Sequence, residues 1–542
     1  MSIRPFSLAA VSFGLAPMVL AFAMLTLASG AGAQDAKPQP QSAPSATASQ
    51  PAATPGSQRP GSSSARGVIS SSGNSSSGET RKLPEDSSTR QSIAVQGRTL
   101  SFTATAGAIR LFNQGGDPQA DIAYTAYHLD GADPRTRPVT FFLNGGPGAS
   151  SAYLQLGCAG PWRLPIEGVG TNPSTSPEFK PNAETWLDFT DLVFIDPVDT
   201  GYSRFVSADG DVHKHFFSVD GDVDALSVVI RRYLEKYDRL PSPKFIVGES
   251  YGGIRAPKMV HELQTRQGVG INGLILVSPL FDYREFGGTS LLQYVISLPS
   301  MAAIAREAKH PVTRADMADV ETYARGDFIA DLIKGEADKE ATTRLADRVA
   351  ALIGVDQATT RRLAGRLDVS EFRREFDRNE GKVTGRYDGS VRGFDPDPDS
   401  SEGHFGDPSG DNLIAPLTSA AVDLTTTVLK WRPDGPYRLL NRSISWDYGR
   451  GMSPVQSMTD LRQILALDPK LKLLVGHGLF DLATPYFGSK IKLDQLPAYA
   501  SADRVKLVVY PGGHMFYSRD GSRQAFRAEA EALITGSAGP TR

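Results

Sequence analysis

The pentapeptide Gly248-Glu249-Ser250-Tyr251-Gly252 constrains this chain more than any other feature. It follows the short apolar run Phe245-Ile246-Val247 and precedes a stretch that reads as a helix. A Gly-x-Ser-x-Gly segment between a strand and a helix makes a sharp turn that lifts the serine hydroxyl above the end of an α/β sheet. The glycines on either side let neighbouring backbones come close.

The rest of the chain agrees with such a sheet. Short continuous apolar runs occur at residues 139–143, 192–195, 245–247, 274–277, 471–475 and 505–509. Runs of this kind suit strands buried on both faces in a parallel sheet. Residues 99–106 and 121–129 read as two further strands joined by a Gly-rich turn. Residues 218–236 read as a helix, with Val219, Val223, Leu226, Val229, Ile230 and Tyr233 on one face. Asp220, Asp222 and Asp224 lie near its N-terminus, where acidic groups complement the helix dipole. Strand and helix alternate, so the expected fold is a doubly wound, mostly parallel α/β sheet of about eight strands.

The alternation stops between residues 286 and 465. That stretch is charged and mostly helical, as in residues 342–353 and 360–377, and is expected to cap the sheet as an insertion. Its middle, residues 385–411, is rich in Gly, Asp, Pro and Ser. Asp395, Asp397 and Asp399 resemble a calcium loop, but the glycine needed at the sixth position is absent, so a solvated acidic loop is expected.

The N-terminus reads as a targeting segment. Arg4 is the only charge before Asp35, an apolar run follows it, and Ala31-Gly32-Ala33 is a small-x-small cleavage signal. Residues 1–33 are therefore expected to be a signal peptide, and the mature protein to be exported to a periplasm or secreted, with no stable membrane association. Residues 34–91 hold no aromatic residue and are rich in Ser, Pro, Gly and Ala, so they are expected to be a disordered spacer. The sheet domain would then span 92–285 and 466–542, interrupted by the cap at 286–465. The formal charge of −3 argues against a nucleic-acid partner. A single cysteine, Cys158, excludes an intramolecular disulfide framework and multi-cysteine metal sites.

A serine nucleophile needs a base, and the base needs an orienting carboxylate. In this fold the chain order is Ser, then Asp or Glu, then His. Only His477 and His514 follow residue 450. His514, in Gly512-Gly513-His514-Met515 just past the last apolar run, stands where the base belongs. His477 comes too early and is expected to be a loop histidine. Asp481 is the natural acid; Asp503, before the last strand, is the alternative. Asn144-Gly145-Gly146-Pro147-Gly148 follows the run 139–143 and can supply an oxyanion-hole amide, with the amide of Tyr251 as the second donor. His213-Lys214-His215 is expected to be solvated, and His261-Glu262 lacks the second histidine of a zinc protease. No metal or cofactor is expected.

Three segments together resemble the signatures of the serine carboxypeptidases: Asn144-Gly145-Gly146-Pro147-Gly148-Ala149-Ser150-Ser151, Gly248-Glu249-Ser250-Tyr251-Gly252-Gly253, and Gly513-His514-Met515. Phe194-Ile195-Asp196-Pro197 and Thr200-Gly201-Tyr202-Ser203 resemble a fourth. The resemblance implies an α/β-hydrolase fold with a helical cap, and removal of C-terminal residues from peptides with a free C-terminus. It implies Ser250 as nucleophile, His514 as base and Asp481 as its partner. It also implies an oxyanion hole of the Gly146 and Tyr251 amides. Asn144, Gly145 and Glu249 would bind the terminal carboxylate, and Met515 would line the leaving-residue pocket. Two positions depart from the family. Ala149 replaces a usual cysteine. Cys158, fourteen residues after Asn144, replaces a second carboxylate-binding Glu and is expected to line the same subsite. An esterase or acyltransferase of this fold would share the triad; a silent binding protein would lack covalent reactivity.

Overall fold

In the computed structural model the described residues are 82–95, 97–166, 172–286, 289–400, 406–449, 455–501 and 503–537. The expected signal peptide and residues 34–81 of the expected spacer lie outside them.

Ten strands form one sheet. In chain order they are β1 (Ser87–Val95), β2 (Arg98–Phe112), β3 (Pro118–Leu129), β4 (Val139–Leu143), β5 (Asp191–Ile195), β6 (Arg204–Phe205), β7 (Lys244–Glu249), β8 (Gly273–Val277), β9 (Lys472–Gly478) and β10 (Val505–Tyr510). The spatial order is β1-β2-β3-β5-β4-β7-β8-β9-β10, with β6 beside β3. The β1–β2, β2–β3, β3–β5 and β3–β6 pairs are antiparallel. From β5 to β10 every pair is parallel. This is the doubly wound, mostly parallel α/β-hydrolase fold.

The short apolar runs are explained by burial on both faces. In β4, Phe141 and Leu143 point into one core and Phe142 into the other. In β8, Leu274 and Leu276 serve the first, Ile275 and Val277 the second. Helices Val219–Lys236, Gly252–Thr265 and Met458–Leu467 cover one face, and helix Asp520–Ser537 covers the other. Ser218 caps the first of these helices by accepting from the Gly221 N–H, and its six named apolar positions are all buried.

Four boundaries differ from the sequence reading. Residues 87–91, expected within the spacer, belong to β1. Their Ser, Thr and Gln side chains carry little apolar signal, but an edge strand is held by its backbone ladder, here in register from Ser87 opposite Ala106 to Val95 opposite Arg98. The stretch 360–377 is not one helix. It breaks into Gln357–Arg362 and Val369–Glu375, with Ala364 and Gly365 at positive φ between them and Asp368 closing a capping box. The insertion is also not one body. Helices Leu292–Glu307 and Lys339–Ile353 share a separate core with Leu479, Phe480 and Leu482, whereas Leu413, Leu417, Leu424 and Trp431 return to the sheet core. Helix Met458–Leu467 belongs to the sheet domain, and Ser457 Oγ donates to Gly253 O at 2.6 Å.

The parallel register sets the site. Leu143 lies opposite Gly248, and Val277 opposite both Glu249 and Gly476. The C-terminal ends of β4, β7, β8 and β9 therefore lie side by side, which is where open α/β sheets gather their reactive loops.

Candidate active site

Ser250 sits at φ 62°, a left-handed conformation that side chains rarely adopt. Three backbone bonds hold it there. Its N–H donates to Val277 O at 3.0 Å, and its carbonyl accepts from Gly253 N at 2.8 Å and Leu280 N at 3.0 Å. Strain of this sort costs about 1–3 kcal/mol and persists where the surroundings over-determine it. Two glycines are sterically required. A Cβ on Gly248 would come within 2.8 Å of Gly252 O, and one on Gly253 within 2.4 Å of Leu280 O. Gly252 itself would meet only an ordinary contact, 3.5 Å from Leu143 O.

The loop after β4 closes on this turn. A Cβ on Gly145 would lie 2.5 Å from Tyr251 N and 2.9 Å from Ser250 Cβ. Arg255, on the helix after Ser250, donates to Asn144 O and pairs with Asp222 at 2.6 Å, both side chains being buried. This explains Asp222 better than a dipole role does. Losing one partner of a buried pair costs about 3–5 kcal/mol, so the pair ties the Asn144 loop firmly to the serine helix.

His514 and Asp481 meet across two other strand ends. His514 Nδ1 lies 2.8 Å from Asp481 Oδ2. Asp481 Oδ1 accepts from the N–H groups of Ala483 and Thr484 at 2.8 and 2.9 Å, and Oδ2 lies 2.8 Å from the Thr484 hydroxyl. Both residues are buried. Burial alone would push the His514 imidazole down, but the charge and hydrogen bond of Asp481 outweigh it and hold its pKa above the ordinary value. The backbone of His514 is clamped as well. Its N–H donates to Tyr387 O at 2.5 Å, and its carbonyl accepts from Ser278 Oγ at 2.7 Å. Tyr387 belongs to the insertion, so the cap loop is locked onto the histidine. A Cβ on Gly513 would lie 2.1 Å from that same Tyr387 O.

One cavity is lined by Ser250, His514, Asn144, Gly145, Gly146, Glu249 and Met515, which brings most of the residues singled out in the sequence together. Asp481 and Tyr251 stand outside its wall. The cap side adds Tyr387, Ile414, Leu440 and Arg442. None of these four carries a sequence signal. Thr484, three residues after Asp481, is the one missed neighbour that a local Asp-x-x-Thr pattern could have shown.

Two expectations change. Cys158 does not line the cavity: it lies in the π-helical turn Gln155–Ala159, 1% exposed among sheet-core residues. The wider turn carries its side chain into the core, and burial pushes its thiol up, with Glu249 nearby adding to the effect. Glu249 instead accepts from Tyr517 Oη at 2.9 Å. His477 is no loop residue. The run 471–475 continues through it, so it ends up inside β9, wholly buried, with Nε2 2.7 Å from Ser489 Oγ and its pKa pushed down to about 3 by burial. Lys214 and His215 are exposed, as expected, on helix Gly210–Phe216, which Asp209 caps, while His213 stacks on Phe205. Asp503 is exposed before β10, whereas Asp481 holds the histidine.

Residues 113–331 match the family model described as serine carboxypeptidase. The pheromone-processing carboxypeptidase kex1 of Schizosaccharomyces pombe is 29% identical over 151 residues, 27% of this chain and 27% of its own. Serine carboxypeptidase-like 16 of Arabidopsis thaliana is 24% identical over 207 residues, 37% of this chain and 45% of its own. The chain thus spans under half the length of these relatives. Among solved structures, a highly thermostable carboxyl esterase from Bacillus coagulans matches with a TM-score of 0.33 at 12% identity, covering 80% of this chain and 99% of its own. Among the described residues no helix is long and apolar enough to cross a membrane. The matched stretch contains the Asn144 loop and the Ser250 turn. Over this stretch the chain is similar to the serine carboxypeptidases.

Proposed function

We propose that this chain is an exported serine carboxypeptidase with Ser250, His514 and Asp481 as its triad. One observation carries the reading: a histidine hydrogen-bonded to a buried Asp481 shares a cavity with Ser250, Asn144 and Glu249. Ser250 Oγ attacks the last peptide carbonyl while His514 Nε2 takes its proton. The amides of Gly146 and Tyr251 receive the developing oxyanion; losing one such donor typically costs about 3–4 kcal/mol. His514 then returns the proton to the departing amino group, the C–N bond breaks, and an acyl ester remains on Ser250. Water, deprotonated by His514, releases the shortened peptide. Asn144 and Glu249 receive the terminal carboxylate, and Met515 lines the pocket of the leaving residue.

Glu249 supplies the preference for a free C-terminus only when neutral, because an ionised carboxyl repels the substrate's own. Burial raises its pKa to about 7, against smaller opposing effects of His514, Tyr517 and Asn144. His514 must be neutral to act, and its raised pKa delays that beyond the ordinary value of about 6.5. The two requirements have opposite signs. Turnover of a blocked dipeptide ester should rise with pH to a plateau. Turnover of the matching free acid should rise and then fall as Glu249 ionises, giving a narrow bell. Measuring kcat/KM for acid, amide and ester across pH 4–9 tests the function. Hydrolysis of esters alone, with no release of a C-terminal amino acid, would point to an esterase.

Export is tested on the secreted protein. Its N-terminus should be Gln34, as the Ala31-Gly32-Ala33 signal specifies. Mass spectrometry that finds an intact Met1 would replace this with a retained leader.

A further inference from the structure

Tyr517 lies three residues after His514 and is fully buried. It is absent from the cavity wall and reaches the site only through its hydroxyl, which donates to Glu249 Oε2 at 2.9 Å. The ring is fixed from several sides. A Cβ on Gly157 would come within 2.8 Å of its Cε2, and Phe516 meets it edge-on. Its own carbonyl accepts from Arg523 Nη1 at 2.9 Å, and Arg523 in turn is buried against Glu184 at 3.1 Å. The hydroxyl therefore has little freedom to leave the carboxyl.

We propose that Tyr517 is a positioning residue for the carboxylate subsite: its hydroxyl holds the Glu249 carboxyl in one orientation and sets the pH at which that group changes from hydrogen-bond donor to anion. This deepens the carboxypeptidase reading and rests on it. The reason is the asymmetry of the bond. A phenol that donates to a buried carboxyl favours the ionised form over the neutral one. It thereby lowers the pH above which peptides with a free C-terminus are rejected. Burial works the other way and is the larger effect. The remaining titratable groups that act on Glu249 or feel its charge are His514, Asp481, Tyr153 and Cys158. Of these, His514 also favours the anion, while Asp481 opposes it. Among these titratable groups Tyr517 alone hydrogen-bonds the carboxyl, and the Asn144 side chain supplies a second, non-titrating bond.

The test compares wild type, Tyr517→Phe and Glu249→Gln on a blocked dipeptide free acid and its methyl ester, with kcat and KM measured across pH 5–9. In wild type the KM for the acid should climb as pH rises past the Glu249 midpoint. Tyr517→Phe should move that midpoint up by about one pH unit, since a hydrogen bond to a charged group is of that size. Ester KM and kcat should stay within about twofold, which also reports that the variant is folded. Replacing Tyr517 by 3-fluorotyrosine, a stronger donor of nearly the same shape, should move the midpoint down. A midpoint unmoved in both Tyr517 variants overturns the proposal while leaving the subsite intact. If Glu249→Gln keeps the wild-type pH dependence of KM, the subsite assignment itself fails.

Discussion

Ser250→Ala is expected to lower turnover of a blocked dipeptide by several orders of magnitude, on the order of 10⁶-fold in kcat, with KM little changed. Among the described residues no other serine sits at positive φ on a strand–helix turn that opens into the cavity; Ser278, also at positive φ, is buried and turns its hydroxyl to His514 O. The alanine fits without strain beyond what the serine already bears, because three backbone bonds fix the turn and none uses the side chain. Stability should therefore be nearly unchanged, and a melting curve beside the kinetics separates lost chemistry from lost fold. Residual turnover within tenfold of wild type would remove Ser250 from the reaction.

Asp481→Asn should cost about 10⁴-fold in turnover. With the amide oxygen kept by the Ala483 and Thr484 N–H groups, the amide NH2 faces His514 Nδ1 and donates to it, so the imidazole takes the wrong tautomer. Asp481 also accepts two backbone N–H groups and lies beside the Thr484 hydroxyl, and the amide oxygen of Asn retains part of that set. The fold should survive. Asp503→Asn, on an exposed residue, should stay near wild type. The reverse outcome, an active Asp481→Asn and an inactive Asp503→Asn, would reassign the acid.

The grouping of the candidate site was legible in the sequence because each member sits on a short loop just past an apolar run. Once the runs read as parallel strands, the loops had to gather at one edge. Ser250, Asp481, His514 and the Asn144 loop could all be placed this way. What stayed hidden depends on contacts between distant parts of the chain. Tyr387 reaches His514 from inside the insertion, and nothing in its surroundings marks it. Tyr517 was invisible for a different reason. It stands beside a strong motif, but its bond to Glu249 spans 268 positions. Cys158 misled because counting from Asn144 assumes regular geometry, and the π-helical turn Gln155–Ala159 directs the side chain into the core. Residues 87–91 misled through composition, since an edge strand needs backbone pairing more than apolar side chains.

Peptide mapping of the protein after reaction with a fluorophosphonate identifies its nucleophilic serine. Such a probe reacts with a serine whose neighbouring histidine can take its proton. One covalent adduct is expected, on the peptide that carries Ser250, lost in Ser250→Ala and strongly reduced in Asp481→Asn. An adduct on a different serine, or none on folded protein, would contradict the assignment of Ser250 as nucleophile.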